Sequence, residues 1–151
     1  MPQRKGIGWK RLDHVSIAVD DAKKWLAFYR KLFGLDGAEH TWFDDKKEGF
    51  RGTVLDLPNT DTQLEVMEPN HDGSFLKKFL ETRGSGVHHI TIEVEDIEAT
   101  AAYLRDEMGI EPFRGIFSDG SWRQTFIHPR DSGGVLIQLY EKERKGARPQ
   151  P

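Results

Sequence analysis

The chain has 151 residues, 36% of them apolar and 31% charged, with a formal net charge of −3 and no cysteine. Length and composition suit one compact soluble body. Basic residues are interspersed with acids, which excludes the footprint of a nucleic-acid binder, and the lack of cysteine excludes disulfides, a thiolate nucleophile and thiolate metal sites. No run approaches the ~18 apolar residues of a membrane span, and Met1 to Arg11 lacks the apolar centre of a signal peptide. A cytoplasmic protein without membrane or nucleic-acid partners is therefore expected.

In chain order, Leu12 to Val19 alternates with a period of two and reads as a strand. Asp20 or Asp21 is placed to cap a helix from Ala22 to Phe33, with Trp25, Leu26, Tyr29, Leu32 and Phe33 as its apolar stripe and Gly34 as its left-handed exit. Residues 36–50 are polar and read as a long loop. Phe50 to Leu57 and Thr62 to Met67 read as a hairpin around Pro58-Asn59-Thr60-Asp61. Ser74 or Asp72 caps a connecting helix through Phe75, Leu76, Phe79 and Leu80, which stops near Gly84-Ser85-Gly86. A strand from Val87 to Val94, a helix from Ile97 to Met108 and strands near Pro112 to Ser118, Arg123 to His128 and Val135 to Tyr140 follow, with Asp119-Gly120 as a turn. The segment 143–151 is charged, bears proline and reads as a frayed tail.

This order is one pattern written twice. At a constant offset of 75, His14 falls on His89, Ile17 on Ile92, Val19 on Val94, Asp21 on Asp96, Arg30 on Arg105 and Gly34 on Gly109. The expected fold is α+β: tandem βαβββ modules over 11–68 and 87–142, joined by a segment 69–86 with a short helix, and forming a concave sheet cup. Alternation puts Val15, Ile17 and Val19 under the first helix, and Ile90, Ile92 and Val94 under its counterpart. Leu12, His14, Ser16 and Ala18 face the other way, as do His89, Thr91 and Glu93. In the last strand of each module Glu65 and Gln138 fall on the histidine side and superpose at an offset of 73, as do Glu68 and Glu141. Two imidazoles, a carboxylate and an amide oxygen, meeting across a pseudo-two-fold axis, can hold one ion and leave positions open for a ligand.

The remaining polar residues read more plainly. His88 points to the opposite face and is structural, His128 supports its loop, and His40 and His71 are solvated. Glu68 and Glu141 read as solvated charges at strand ends. Trp122 and Arg123 either grip a substrate carboxylate or thioester or form a solvated hairpin.

Four stretches carry a family resemblance: Leu12-Asp-His-Val-Ser-Ile-Ala-Val19, Phe28-Tyr29, Gly86-Val-His-His-Ile90, and Phe126-Ile-His-Pro-Arg-Asp-Ser-Gly-Gly-Val-Leu-Ile137. With them the chain resembles the vicinal oxygen chelate superfamily of glyoxalase I, extradiol dioxygenases and bleomycin-resistance proteins. Within it, the chain is most similar to the methylmalonyl-CoA epimerase family. The resemblance implies one divalent ion (Co, Mn, Ni, Zn or Fe) on His14, Glu65, His89 and Gln138, an acyl-CoA thioester as substrate, and a homodimer. It implies an isomerase that removes a proton next to a carbonyl through a metal-stabilised enolate. The family pattern has glutamine at the position of Glu65 and its acid–base glutamate at that of Gln138; here the two are exchanged. An amide cannot take a proton, so Glu65 becomes the acid–base candidate. The family's second acidic residue belongs to the stretch Phe43 to Val54, where the pattern does not align. The rival readings are a glyoxalase I-type lyase, a non-haem Fe(II) dioxygenase built on two histidines and one carboxylate, and a metal-free binding protein of the drug-resistance type.

Overall fold

The structure, a computed structural model, describes residues 6–35, 37 and 41–142. The expectations for His40 and for the tail 143–151 lie outside the described residues.

The first repeat runs β1 (Trp9–Ala18), α1 (Ala22–Leu32), β2 (Trp42–Asp45), β3 (Phe50–Asp56) and β4 (Gln63–Pro69), and α2 (Phe75–Arg83) follows it. The second runs β5 (Gly86–Val94), α3 (Ile97–Met108), β6 (Phe113–Ser118), β7 (Trp122–Ile127) and β8 (Leu136–Lys142). Both share one topology. The first strand pairs in parallel with the last, β1 with β4 and β5 with β8. The others join antiparallel, β2 to β3 to β4 and β6 to β7 to β8. A parallel pair needs a crossover, and in each repeat a helix starts it. Tandem βαβββ modules are therefore what the chain builds. By compactness, His14–His88 forms one unit and the described parts of Met1–Asp13 and His89–Pro151 another.

The helices begin and end where local chemistry dictates. Asp21 accepts from the Lys24 N–H at 3.1 Å to start α1, and Gly34, at φ +73°, turns the chain away after it. Asp96 accepts from both Glu98 and Ala99 N–H to start α3, which ends on left-handed Gly109. Ser74 caps α2 through the Leu76 N–H. Glu68 and Glu141 correct an expectation. Rather than ending their strands in solvent, they accept from the first N–H of their own repeat's helix, Ala22 N at 3.2 Å and Ile97 N at 2.9 Å. A carboxylate there satisfies an orphan donor and meets the positive end of the helix.

Each helix seals an apolar layer. Ile17, Val19, Leu26, Leu64 and Val66 form one core with Val15 packed against it; Ile92, Val94, Leu104, Ile127 and Leu139 form the other with Ile90. Burying each such side chain is worth about 1.5–3 kcal/mol. Leu32 departs from the expected stripe and is 60% exposed. At about 100° per residue it lies roughly 120° round from Leu26, whereas Phe33 returns to within roughly 20° and packs on the core. Leu12 also departs, packing against the Ile92 cluster instead of sharing the histidine face. The expected loop 36–50 contains β2, whose Trp42 lies opposite Thr53. At Gly52, on β3, a side chain has no room, because a Cβ would sit 1.9 Å from the Val66 carbonyl oxygen. Among the described residues no helix is long and apolar enough to cross a membrane.

Candidate metal centre and substrate site

In the first repeat the β1–β4 register sets Ser16 beside Glu65, with His14 two residues before Ser16 on the same face. The fully buried Ser16 hydroxyl donates to Glu65 Oε1 at 2.5 Å, which fixes the plane of the carboxylate. On the other side of Glu65 lies Val54 of β3. Glu65 opens there onto a shallow, open depression lined by Phe43, Phe50 and Val54 and edged by Asp44, Asp45 and Lys46. Contact of an acyl chain with those apolar side chains, with a charged rim for its polar end, is what such a lining can offer.

The second repeat copies this geometry with different chemistry. Thr91 lies beside Gln138 in the β5–β8 register and donates to its Oε1 at 2.8 Å. The Gln138 Nε2 donates to Gln124 Oε1, and Gln124 Nε2 donates to Asp119 Oδ2 at 3.2 Å. Burial alone would raise the Asp119 carboxyl. Hydrogen bonds from the Trp122 and Ser121 N–H groups and the Ser121 hydroxyl outweigh it and hold the group below the usual carboxylate range. An ionised acceptor therefore anchors the chain Asp119–Gln124–Gln138, leaving Gln138 Oε1 as an acceptor with capacity beyond Thr91. Ser16 and Thr91 were not among the candidate ligands, yet the offset of 75 that pairs the histidines also pairs these two hydroxyls.

Among the described residues His14 and Glu65 of one unit and His89 of the other each offer an atom of the kind that ligates a metal ion. The other candidates stand elsewhere. Arg123 pairs with Glu98 of α3, on the helix side of its strand. Trp122 stacks on Tyr140, with ring centroids 3.7 Å apart. The buried Tyr140 hydroxyl donates to Asp13 at 2.6 Å and accepts from Arg11, which also reaches Glu93. Burial and the bond to Asp13 push that hydroxyl up, so it stays protonated. His88 lies against the Phe75 and Phe79 rings, at 5.4 and 4.9 Å. His128 caps a 3-10 turn at Pro129–Asp131 through the Arg130 N–H, and the exposed His71 accepts from the Gly73 N–H.

The model of the Glyoxalase/Bleomycin resistance protein/Dioxygenase superfamily matches residues 13–126. The mitochondrial methylmalonyl-CoA epimerase of Dictyostelium discoideum is 33% identical over 90% of this chain and 81% of its own length. Among solved structures, methylmalonyl-CoA epimerase from Mycobacterium tuberculosis superposes with a TM-score of 0.75 at 31% identity, covering 96% of this chain and 95% of its own. A variant of the Streptomyces coelicolor methylmalonyl-CoA epimerase, in complex with 2-nitronate-propionyl-CoA, gives a TM-score of 0.69 at 30% identity over 90% of this chain and 99% of its own.

Proposed function

We propose that this chain, which belongs to the glyoxalase/bleomycin resistance protein/dioxygenase superfamily, is a divalent-metal-dependent epimerase of a methylmalonyl-type acyl-CoA thioester. The observation that carries the reading is the repeated register, which sets His14 on the face of Glu65 in one module and His89 on the face of Gln138 in the other; we place one ion on these side chains. Gln138 Oε1 is the fourth donor. Two imidazoles, a carboxylate and an amide oxygen suit Co, Mn, Ni, Zn or Fe as the divalent ion. Such an ion supplies Lewis acidity that stabilises negative charge as it develops on the thioester oxygen.

The proton chemistry falls to the side chains. Glu65 Oε1 is tied to Ser16, so Oε2 is the atom that takes the α-proton. Its return to the opposite face of the planar carbanion gives the epimer. Gln138 cannot deliver that proton; it comes from water, or from Glu65 after the carboxylate swings. Phe43, Phe50 and Val54 supply the apolar wall for the acyl group. A cytoplasmic homodimer is the setting we propose, with Phe28 and Leu32, 48% and 60% exposed on α1, as the apolar surface a second copy covers.

The test is proton exchange and oxygen uptake in parallel. Metal-loaded protein should place solvent deuterium at the α-carbon of methylmalonyl-CoA and consume no oxygen. Oxygen uptake without exchange would identify a dioxygenase instead. Exchange into a glutathione hemithioacetal but not into the CoA ester would identify a glyoxalase-type isomerase.

A further inference from the structure

Arg114 occupies an irregular stretch of β6. The β6–β7 register shifts between Phe113 and Phe117, and within the shift Arg114 adopts φ +68° ahead of Gly115 at φ +64°. A left-handed backbone suits glycine and is disfavoured for a residue with a Cβ. Asn59 is the other described non-glycine residue there, and asparagine in a turn tolerates that conformation. Bulges re-aim side chains, and strain of this kind is retained where the re-aimed group has a use.

The side chain of Arg114 is aimed with some care. Its guanidinium lies 5.0 Å from the Phe117 ring centre and 5.9 Å from that of Phe126, and those two rings stack at 6.0 Å. Phe126 lies directly across the ladder from Gln138 and so shares its face, opposite the α3 side. The irregular register thus lays a permanent cation against Phe126, the ladder partner of Gln138. Arg11, Arg51, Arg105, Arg123 and Arg130 are each paired with a carboxylate. Among the described residues none offers one to Arg114. Aromatic rings under one face of a guanidinium leave its N–H edge available for forked contact with a carboxylate or phosphate.

We infer that Arg114 binds the anionic group of the substrate. The inference rests on the acyl-CoA reading. A malonyl-type CoA thioester carries two anions of the right chemistry, the acyl carboxylate and the CoA phosphates, and the experiment separates them.

Calorimetric titration of metal-loaded protein with malonyl-CoA, propionyl-CoA and malonyl-N-acetylcysteamine provides that separation. Arg114→Gln should weaken malonyl-CoA about 10- to 100-fold, the worth of a hydrogen-bonded charge. Loss on both malonyl esters, with propionyl-CoA unchanged, assigns the carboxylate; equal loss on both CoA esters assigns a phosphate. Arg114→Gly should lose the same affinity while its unfolding temperature holds or rises, because glycine adopts this backbone without strain. A merely structural Arg114 would lower the unfolding temperature and leave binding intact, which overturns the inference. Unchanged affinity for all three probes in Arg114→Gln overturns it as well. Wild-type protein that binds neither CoA ester overturns the acyl-CoA reading itself, and this inference with it.

Discussion

His14, Ser16 and Glu65 in the first repeat correspond to His89, Thr91 and Gln138 in the second, down to the hydroxyl that donates to the Oε1 of its strand partner, at 2.5 Å and 2.8 Å. The two halves part at one atom. Where the first has a carboxylate oxygen beside an open depression, the second has an amide nitrogen tied through Gln124 to Asp119. In the function we propose, duplication supplies ligand positions twice, while the ability to move a proton is left in one copy. On this reading the first repeat reacts and the second holds.

The largest effect should come from the element the halves share. Replacing His14 or His89 with alanine removes one of two nitrogen donors and should abolish stoichiometric binding of a divalent ion, measured as metal per chain after dialysis. A double alanine variant that keeps a full equivalent would place the metal elsewhere. Glu65→Gln makes the halves alike. It should cost about 10²–10⁴ in epimerisation rate, the worth of a positioned general base, while metal content falls little. Gln138→Glu makes them alike in the other sense, and should retain metal and raise the epimerisation rate by giving the opposite face a carboxylate.

Smaller effects separate the halves through stability. At the offset of 75, His88 takes the place of Asp13. Burial, together with the charge of Arg83, pushes His88 from its ordinary 6.5 down to about 4. The folded state therefore prefers the neutral ring. Its stabilising contribution is complete above pH 6.5 and is lost as pH falls from there toward about 4. Urea midpoints between pH 7 and 4 should show this loss in wild-type protein and lack it in His88→Leu. The helix caps give the smallest difference. Asp96→Ala should cost about 1 kcal/mol and Asp21→Ala less, because Asp96 accepts two N–H groups and Asp21 one. Equal urea midpoints for the two variants would contradict that order.

The repeat and its periodicity made most of the fold legible. The expected bounds of α3, Ile97 to Met108, are those observed, and the caps Asp21 and Ser74 were each one of two candidates, because side-chain chemistry close to each helix decides them. What the pattern hid depends on partners distant in the chain. β2 has two apolar residues in four and takes its form from pairing with β3. Glu68 and Glu141 read as strand ends, since their helix partners lie 46 and 44 residues away. The pairing of Arg123 with Glu98, 25 residues earlier, is likewise invisible in the local pattern. The strained backbone of Arg114 has no signature in its residue type, only a following glycine.

The central claim is that one metal ion, held by His14, Glu65, His89 and Gln138, enables Glu65 to remove an α-proton. It is tested most directly by titrating a divalent ion into chelator-stripped protein and following deuterium exchange into methylmalonyl-CoA in heavy water. Exchange should be absent without metal, rise in proportion to added ion, and level off at one equivalent per chain. Exchange at full rate in the stripped protein, or none at any loading, would contradict it.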